Sequence, residues 1–402
     1  MPARTSSPRA PYESAFGPAL LDWYSRHRRP LPWRVDRSPY RIWVAEVILQ
    51  QTRVAQAVPY YERFVREFPT IDSLAAAPIG RVLRVWQGAG YYARARNLHS
   101  AAQLLVRDRS GELPRNAEEL ERLPGVGPYI ARAVAALAFG ERTIALEANG
   151  LRVGARWRLE RGDVRKGAAR ERVEAALERA MGASPPSEFN EAIMELGETV
   201  CLPFAPRCKE CPVAFACRAY RELPDPAAIP SPRRARVRPH VRGAVVILED
   251  AHGRWFVQRR PPRGLLGGLW EFPGGKIRPD EPPAHAAARE LQEETGARAR
   301  SLAHLGVVRH AYSHFTVELH VYRGRARSPL PRTRDDRRWV TRDELERLPI
   351  PKATEKAIAL LPHPSRGRAS PGSGSRPGRT HALRPRGGRS PARRARAEGT
   401  LT

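Results

Sequence analysis

From residue 15 to residue 139 apolar side chains recur every three or four positions, as in Trp43, Val44, Val47 and Ile48, with breaks at Pro69, Pro78 and Pro114. That spacing puts the apolar residues on one face of a 3.6-residue turn, so it predicts helices joined by short loops. The pattern resumes over 170–181 and 189–200. After residue 242 the texture changes to short β-like runs at 243–248, 255–259, 304–309 and 315–322, with helix-like segments at 284–295 and 354–361. The chain is therefore expected to be multidomain, with an all-α domain over 15–220 and a smaller α+β domain over 240–362.

Residues 221–239, rich in Pro and Arg and without periodicity, read as an extended connector. Residues 1–14 and 363–402 are polar, basic and poor in apolar side chains, too poor to bury a core, and are expected to be disordered.

Composition adds a partner to this layout. At 402 residues and 41% hydrophobic the chain has room for two or three cores, and its formal net charge is +28. Such a charge attracts polyanions and gains affinity by displacing their counterions, which points first to nucleic acid. No apolar run approaches the roughly 20 residues that span a bilayer. The basic start lacks a following apolar segment, so a cytoplasmic location is expected, without membrane partners. No dimerisation pattern is visible, and a monomer is expected.

All four cysteines fall in "CLPFAPRCKECPVAFAC": Cys201, Cys208, Cys211 and Cys217. Thiols crowded into a cytosolic segment suit metal rather than disulfides. Tetrahedral zinc and an iron–sulfur cluster both use four cysteines, although only one C-x-x-C pair is present here. Upstream, "LPGVGPYIARAVAALAFG" (123–140) sets Gly125 and Gly127 in a tight turn directly before a helix. Backbone N–H groups at such a turn, with the positive end of a helix behind them, suit a phosphate.

Together with "LPWR" (31–34), "EVILQQT" (46–52), "GAGYYARARNLH" (88–99) and "FNEAIMELG" (189–197), the hairpin and the C-x6-C-x2-C-x5-C loop make residues 15–220 resemble the A/G-specific adenine DNA glycosylases, the MutY family. The resemblance implies a helix-hairpin-helix fold, a [4Fe–4S] cluster on the four cysteines and excision of adenine from duplex DNA containing A:8-oxoguanine or A:G mispairs. The base must be flipped out, because stacking shields its glycosidic bond. Carried over by position, Gln51 and Tyr91 wedge into the duplex beside Thr52, while Trp33, Arg34, Leu49 and Glu191 line the adenine pocket.

Adenine leaves readily only when protonated, and the sugar it leaves becomes cationic, so two carboxylates are called for. By resemblance Glu46 is the acid. The second is usually Asp in an "LDGN" context; here "LEANG" supplies Glu147 and Asn149, one methylene longer. Strand-cutting relatives carry a lysine two residues after the second hairpin glycine. That position is Tyr129, which completes the candidate catalytic set, and the nearest lysines, Lys166 and Lys209, lie outside the motif. A monofunctional glycosylase is expected.

"GKIRPDEPPAHAAARELQEETGA" (275–297) has the full spacing of a Nudix box. Glu290, Glu293 and Glu294 would share one helix face and coordinate Mg²⁺ for cleaving an oxidised nucleotide. In the other reading the box is inherited scaffold, as in the Nudix-like domain by which the family recognises 8-oxoguanine. "HAYSHF" (310–315) resembles the lesion-reading loop of that domain, with Ser313 meeting the oxidised base between Tyr312 and His314, and so favours scaffold. The alternatives to a glycosylase are thus a Nudix pyrophosphohydrolase and a lesion-binding protein whose catalysis has failed at Glu147.

Overall fold

The helical half of the chain packs as two lobes in the computed structural model, which describes residues 10–231, 237–312, 315–327 and 330–361. In the first lobe, helices Pro39–Leu49, Val54–Glu67, Ala93–Arg109 and Pro128–Phe139 enclose Trp43, Tyr61, Phe64, Trp86 and Ile130. The second lobe draws on both ends of the helical region. Helix Ala10–His27 joins Ala148–Arg158, Gly167–Met181 and Pro186–Thr199 around Phe16, Leu20, Trp157, Val173 and Phe189. Phe16 stacks on Trp157 with ring centroids 4.1 Å apart. Fully burying a large apolar side chain of this kind contributes about 1.5–3 kcal/mol.

Two sequence expectations are corrected here. The first helix begins at Ala10, inside the stretch expected to be disordered. Helix Ala148–Arg158 was not anticipated, because its buried apolar residues Leu151, Val153, Ala155 and Trp157 alternate with Gly150, Arg152, Gly154 and Arg156 and form no single helical stripe. A Cβ on Gly154 would lie 2.5 Å from Val173 Cγ1, so glycine is what lets the two helices approach. The connector is also partly built: residues 226–228 form a 3₁₀ turn and Ile229 is buried in the second lobe.

The C-terminal domain is a mixed sheet of β1 (His240–Glu249), β2 (Trp255–Arg259), β3 (Trp270–Glu271), β4 (Gly274–Lys276), β5 (Arg298–Ala311), β6 (Thr316–Arg327) and β7 (Arg337–Val340). The order is β3-β2-β1-β6-β5, with β4 on β1 and β7 on β2; among the described residues only β1 and β6 pair in parallel. Because successive side chains of a strand point to opposite faces, β1 feeds two cores. Ala244, Val246 and Leu248 meet helix Pro283–Thr295, while Ile247 meets helix Lys352–Ile358. The sheet is thus covered on both faces.

The loop between β2 and β3 leaves its own domain. Leu269 is fully buried in the core of the first helical lobe, and Arg96 Nη1 donates to Gly267 O at 2.7 Å. Gln87 and Glu355 add a side-chain hydrogen bond between the same two domains. Among the described residues no helix is long and apolar enough to cross a membrane.

Candidate active site between the helical lobes

A cavity of about 1000 Å³ opens between the two lobes. Trp33, Arg34, Glu46, Leu49, Gln51, Thr52, Tyr91, Tyr129, Glu147, Asn149 and Glu191 all line it, from segments up to 158 residues apart in sequence. Gly125, Gly127, Tyr312, the four cysteines and the Nudix carboxylates lie elsewhere.

Glu46 sits in a helix buried on nearly every side, where an ionised carboxylate loses its water. Burial therefore dominates and lifts its pKa to about 7; the Tyr129 hydrogen bond pulls it down, and the carboxylates of Glu147 and Glu191 push it up. Tyr129 Oη donates to Glu46 Oε2 at 3.0 Å, and burial next to Glu46 raises the phenol far above its ordinary range. A substantial fraction of Glu46 is thus protonated near neutral pH, poised to give its proton to a base in the cavity.

Glu147 caps helix Ala148–Arg158, its Oε1 accepting from the Asn149 backbone N–H at 2.9 Å. Glutamate is not a preferred N-cap, yet here the longer side chain folds back far enough to do what aspartate commonly does. Burial raises its pKa, opposed by that hydrogen bond and by Arg152. Arg152 donates to Asn149 Oδ1 at 2.8 Å and to Gly197 O at 2.6 Å, fixing the start of the helix against its neighbour.

The pocket carboxylate Glu191 is 6% exposed and accepts from Tyr24 Oη and Arg37 Nη1, each at 3.0 Å. Arg34 Nη2 donates instead to Glu195 at 2.8 Å, where Arg29 joins it. Trp33 packs edge-on against Tyr61, 5.2 Å between centroids, so the aromatic wall is fixed from behind.

Gln51 and Tyr91 share an unusual backbone: φ is +58° at Gln51 and +47° at Tyr91. Such angles cost a non-glycine residue about 1–2 kcal/mol, so something must hold them. Arg94 does. Its guanidinium donates to Val47 O at 2.8 Å, Ile48 O at 2.9 Å and Gln50 O at 2.5 Å on one side, and to Ala89 O at 3.0 Å on the other, riveting the two loops together. Burial lowers its pKa to about 10, still charged at neutral pH.

The hairpin has the expected form. Gly125 adopts φ +76°, and Gly127 is the N-cap of helix Pro128–Phe139 with no side chain on the helix N–H groups and open space in front. Tyr312 follows strand β5, its ring stacked on Phe315 with centroids 4.8 Å apart. Ser313 and His314 lie outside the described residues.

In the cysteine loop, Cys201, Cys208, Cys211 and Cys217 are half-buried, free of disulfides and close enough to influence one another electrostatically. No three His, Cys, Asp or Glu side chains among the described residues converge tightly enough to hold a single ion. Arg156, 2% exposed, ties this loop to the catalytic lobe: it donates to Cys201 Sγ at 3.3 Å, Leu202 O at 2.6 Å, Pro203 O at 2.9 Å and Ile229 O at 2.7 Å.

In the Nudix box, Arg289 bonds to Glu281, Glu290 and Glu293, and Glu294 accepts from Gly274 N and Gln258. These carboxylates thus accept from protein donors, and burial raises the pKa of Glu294, with Glu290 close enough to add to the rise.

Comparison with known proteins agrees with this geometry. Residues 44–181 match the HhH-GPD superfamily of base excision DNA repair proteins and residues 244–360 match the NUDIX domain. A thermostable thymine-DNA glycosylase of known structure shares the fold with a TM-score of 0.50 and 26% identity, covering 54% of this chain and 100% of that one. Fold and site together define a helix-hairpin-helix base excision repair glycosylase joined to a Nudix-like domain. Adenine DNA glycosylases of Rattus norvegicus and Homo sapiens are each 33% identical, over 88% and 86% of this chain and 79% and 74% of their own. The chain belongs to the adenine DNA glycosylases.

Tyr24, Arg37, Arg94, Arg152, Arg156 and Glu195 carry the site's polar network and were not anticipated. In a chain with 70 Lys and Arg residues, nothing marks a structural arginine out from a solvated one.

Proposed function

We propose that this glycosylase removes adenine paired with 8-oxoguanine or guanine, with Glu46 as the acid that protonates the flipped base and Glu147 as the anion that stabilises the sugar cation. The observation that carries the reading is the Tyr129–Glu46 hydrogen bond beside Glu147, at a cavity walled by Trp33, Leu49 and Glu191. Gln51 and Tyr91 enter the duplex, the glycine hairpin takes a backbone phosphate, and the Tyr312 hairpin reads the opposite base. With tyrosine at the hairpin position and no lysine in the cavity lining, hydrolysis proceeds without strand cleavage. Single-turnover adenine release from A:8-oxoguanine, A:G and A:T duplexes is the test: release from A:T as fast as from A:8-oxoguanine would refute it.

The chemistry of the cysteine loop fits a [4Fe–4S] cluster held by Cys201, Cys208, Cys211 and Cys217. When bound, such a cluster cross-links four points of the chain and is capable of one-electron chemistry. The Nudix box we read as scaffold, because the chain carries a helical glycosylase domain and the Tyr312 loop, neither of which a free-standing nucleotide hydrolase needs. Mg²⁺-dependent turnover of 8-oxo-dGTP that is abolished by Glu293→Gln would reverse this.

A further inference from the structure

A second cleft, of about 470 Å³, lies where helix Ile79–Val85 faces the sheet domain. Five of its ten lining residues are arginines, Arg81, Arg84, Arg259, Arg338 and Arg347, against the single carboxylate of Asp335. Trp270 forms an apolar wall, 5% exposed, with the Arg338 guanidinium 4.2 Å and the Arg259 guanidinium 5.8 Å from its ring centroid. Among the described residues only Arg81 of the five is ion-paired, to Glu67. Arg338 Nε is buried and meets no hydrogen-bond partner among them.

Guanidinium groups gathered this closely repel one another, and a buried donor left unmatched is costly. Stacking on Trp270 holds two of them in place, so they do not relieve the repulsion by swinging into water. The missing partner is an anion with several acceptor oxygens, for which the planar fork of arginine is matched in shape. We infer that this cleft binds a phosphate group, with Arg259 and Arg338 as its principal donors.

The site is separate from the Nudix box. Trp270 belongs to the core on one face of the sheet, and helix Pro283–Thr295 covers the other. It is also outside the adenine cavity, which none of its residues line. The phosphate has two possible sources: the backbone of bound DNA at some distance from the mispair, or a free polyphosphate.

The test uses the full-length enzyme and the double variant Arg259→Gln/Arg338→Gln. Inorganic pyrophosphate is titrated by calorimetry, and undamaged duplex binding is followed across a salt series. If DNA is the source, the double variant lowers the slope of log K against log salt by about one to two. If a free polyphosphate is the source, the slope is unchanged and pyrophosphate affinity falls at least tenfold. Arg338→Lys, which keeps the charge and loses the fork, is expected to give an intermediate loss. The inference is overturned if the double variant changes neither the slope nor pyrophosphate binding, and equally if Arg107→Gln/Arg122→Gln, which removes two exposed charges elsewhere, changes the slope by as much. Should the double variant fold poorly, Arg259→Gln/Arg347→Gln alters two exposed side chains of the same cleft and must show the same losses.

Discussion

The Tyr129 hydroxyl donates to Glu46 Oε2 at 3.0 Å, joining the helix after the glycine hairpin to the buried helix that carries the proposed acid. Because the bond favours the carboxylate, it holds the pKa of Glu46 lower than burial alone would, at about 7. The protonated fraction, and with it the single-turnover rate, should fall as pH rises above 7. Tyr129→Phe removes the bond and should move that alkaline limb upward by on the order of one pH unit. A limb that stays in place in the variant would show that another group sets it.

The same carboxyl is a stability liability. Its folded pKa is raised above its ordinary 4.5, so the stabilisation present below pH 4.5 is lost as pH rises through about 7. At about 1.4 kcal/mol for each tenfold change in proton affinity, this amounts to about 3 kcal/mol. Glu46→Gln should therefore gain on the wild type by that order in urea unfolding at pH 8 compared with pH 4, while losing adenine release.

Glu147 is both helix cap and proposed anion. Glu147→Asp keeps the charge and is a better cap, so its release rate should stay within about tenfold of the wild type. Glu147→Ala should lose about 10²–10³-fold in rate and about 1 kcal/mol of stability. Equal rates for all three proteins would remove Glu147 from the mechanism.

Arg94 holds the loops of Gln51 and Tyr91 through backbone carbonyls. Arg94→Lys cannot reach carbonyls on both loops with one ammonium, so mispaired duplex should bind at least tenfold more weakly, while the rate at saturating enzyme changes less. A purely structural role would lower Tm and leave that affinity intact in the folded fraction.

Arg156 reaches into the cysteine loop and onto Ile229. Arg156→Met should reduce iron content and visible absorbance per protein, and Cys208→Ser should do so more completely. Full iron occupancy in Cys208→Ser would contradict the proposed ligand set.

Most of the architecture was legible in the sequence because apolar residues recur at helical spacing, as at Trp43, Val47 and Ile48, or run unbroken through a strand covered on both faces, as at Val245, Val246 and Ile247. Helix Ala148–Arg158 was not, since glycines and arginines interleave with Leu151, Val153, Ala155 and Trp157 and hide the period that reading depends on. The carboxylates were legible through motifs. The bonds that tune and place them were not: Arg94 acts on carbonyls 44 to 47 residues away, and no local pattern encodes such a contact. Positive φ at Gln51 and Tyr91 was equally hidden, because the usual signal for it is glycine.

The second lobe's dependence on both ends of the helical region bears on how the molecule is made. Apart from Leu269, the core of the first lobe comes from one stretch, residues 31–145, and can begin to condense as soon as that stretch leaves the ribosome, whereas Phe16 must wait for Trp157 to be synthesised before its stacking partner exists. Contacts of such long sequence separation form late, and domains acquire structure in the order of synthesis. The adenine cavity, lying between the lobes, is thus closed only after helix Pro186–Thr199 has been made and packed, so the nascent chain carries the hairpin well before it has the wall that Glu191 supplies.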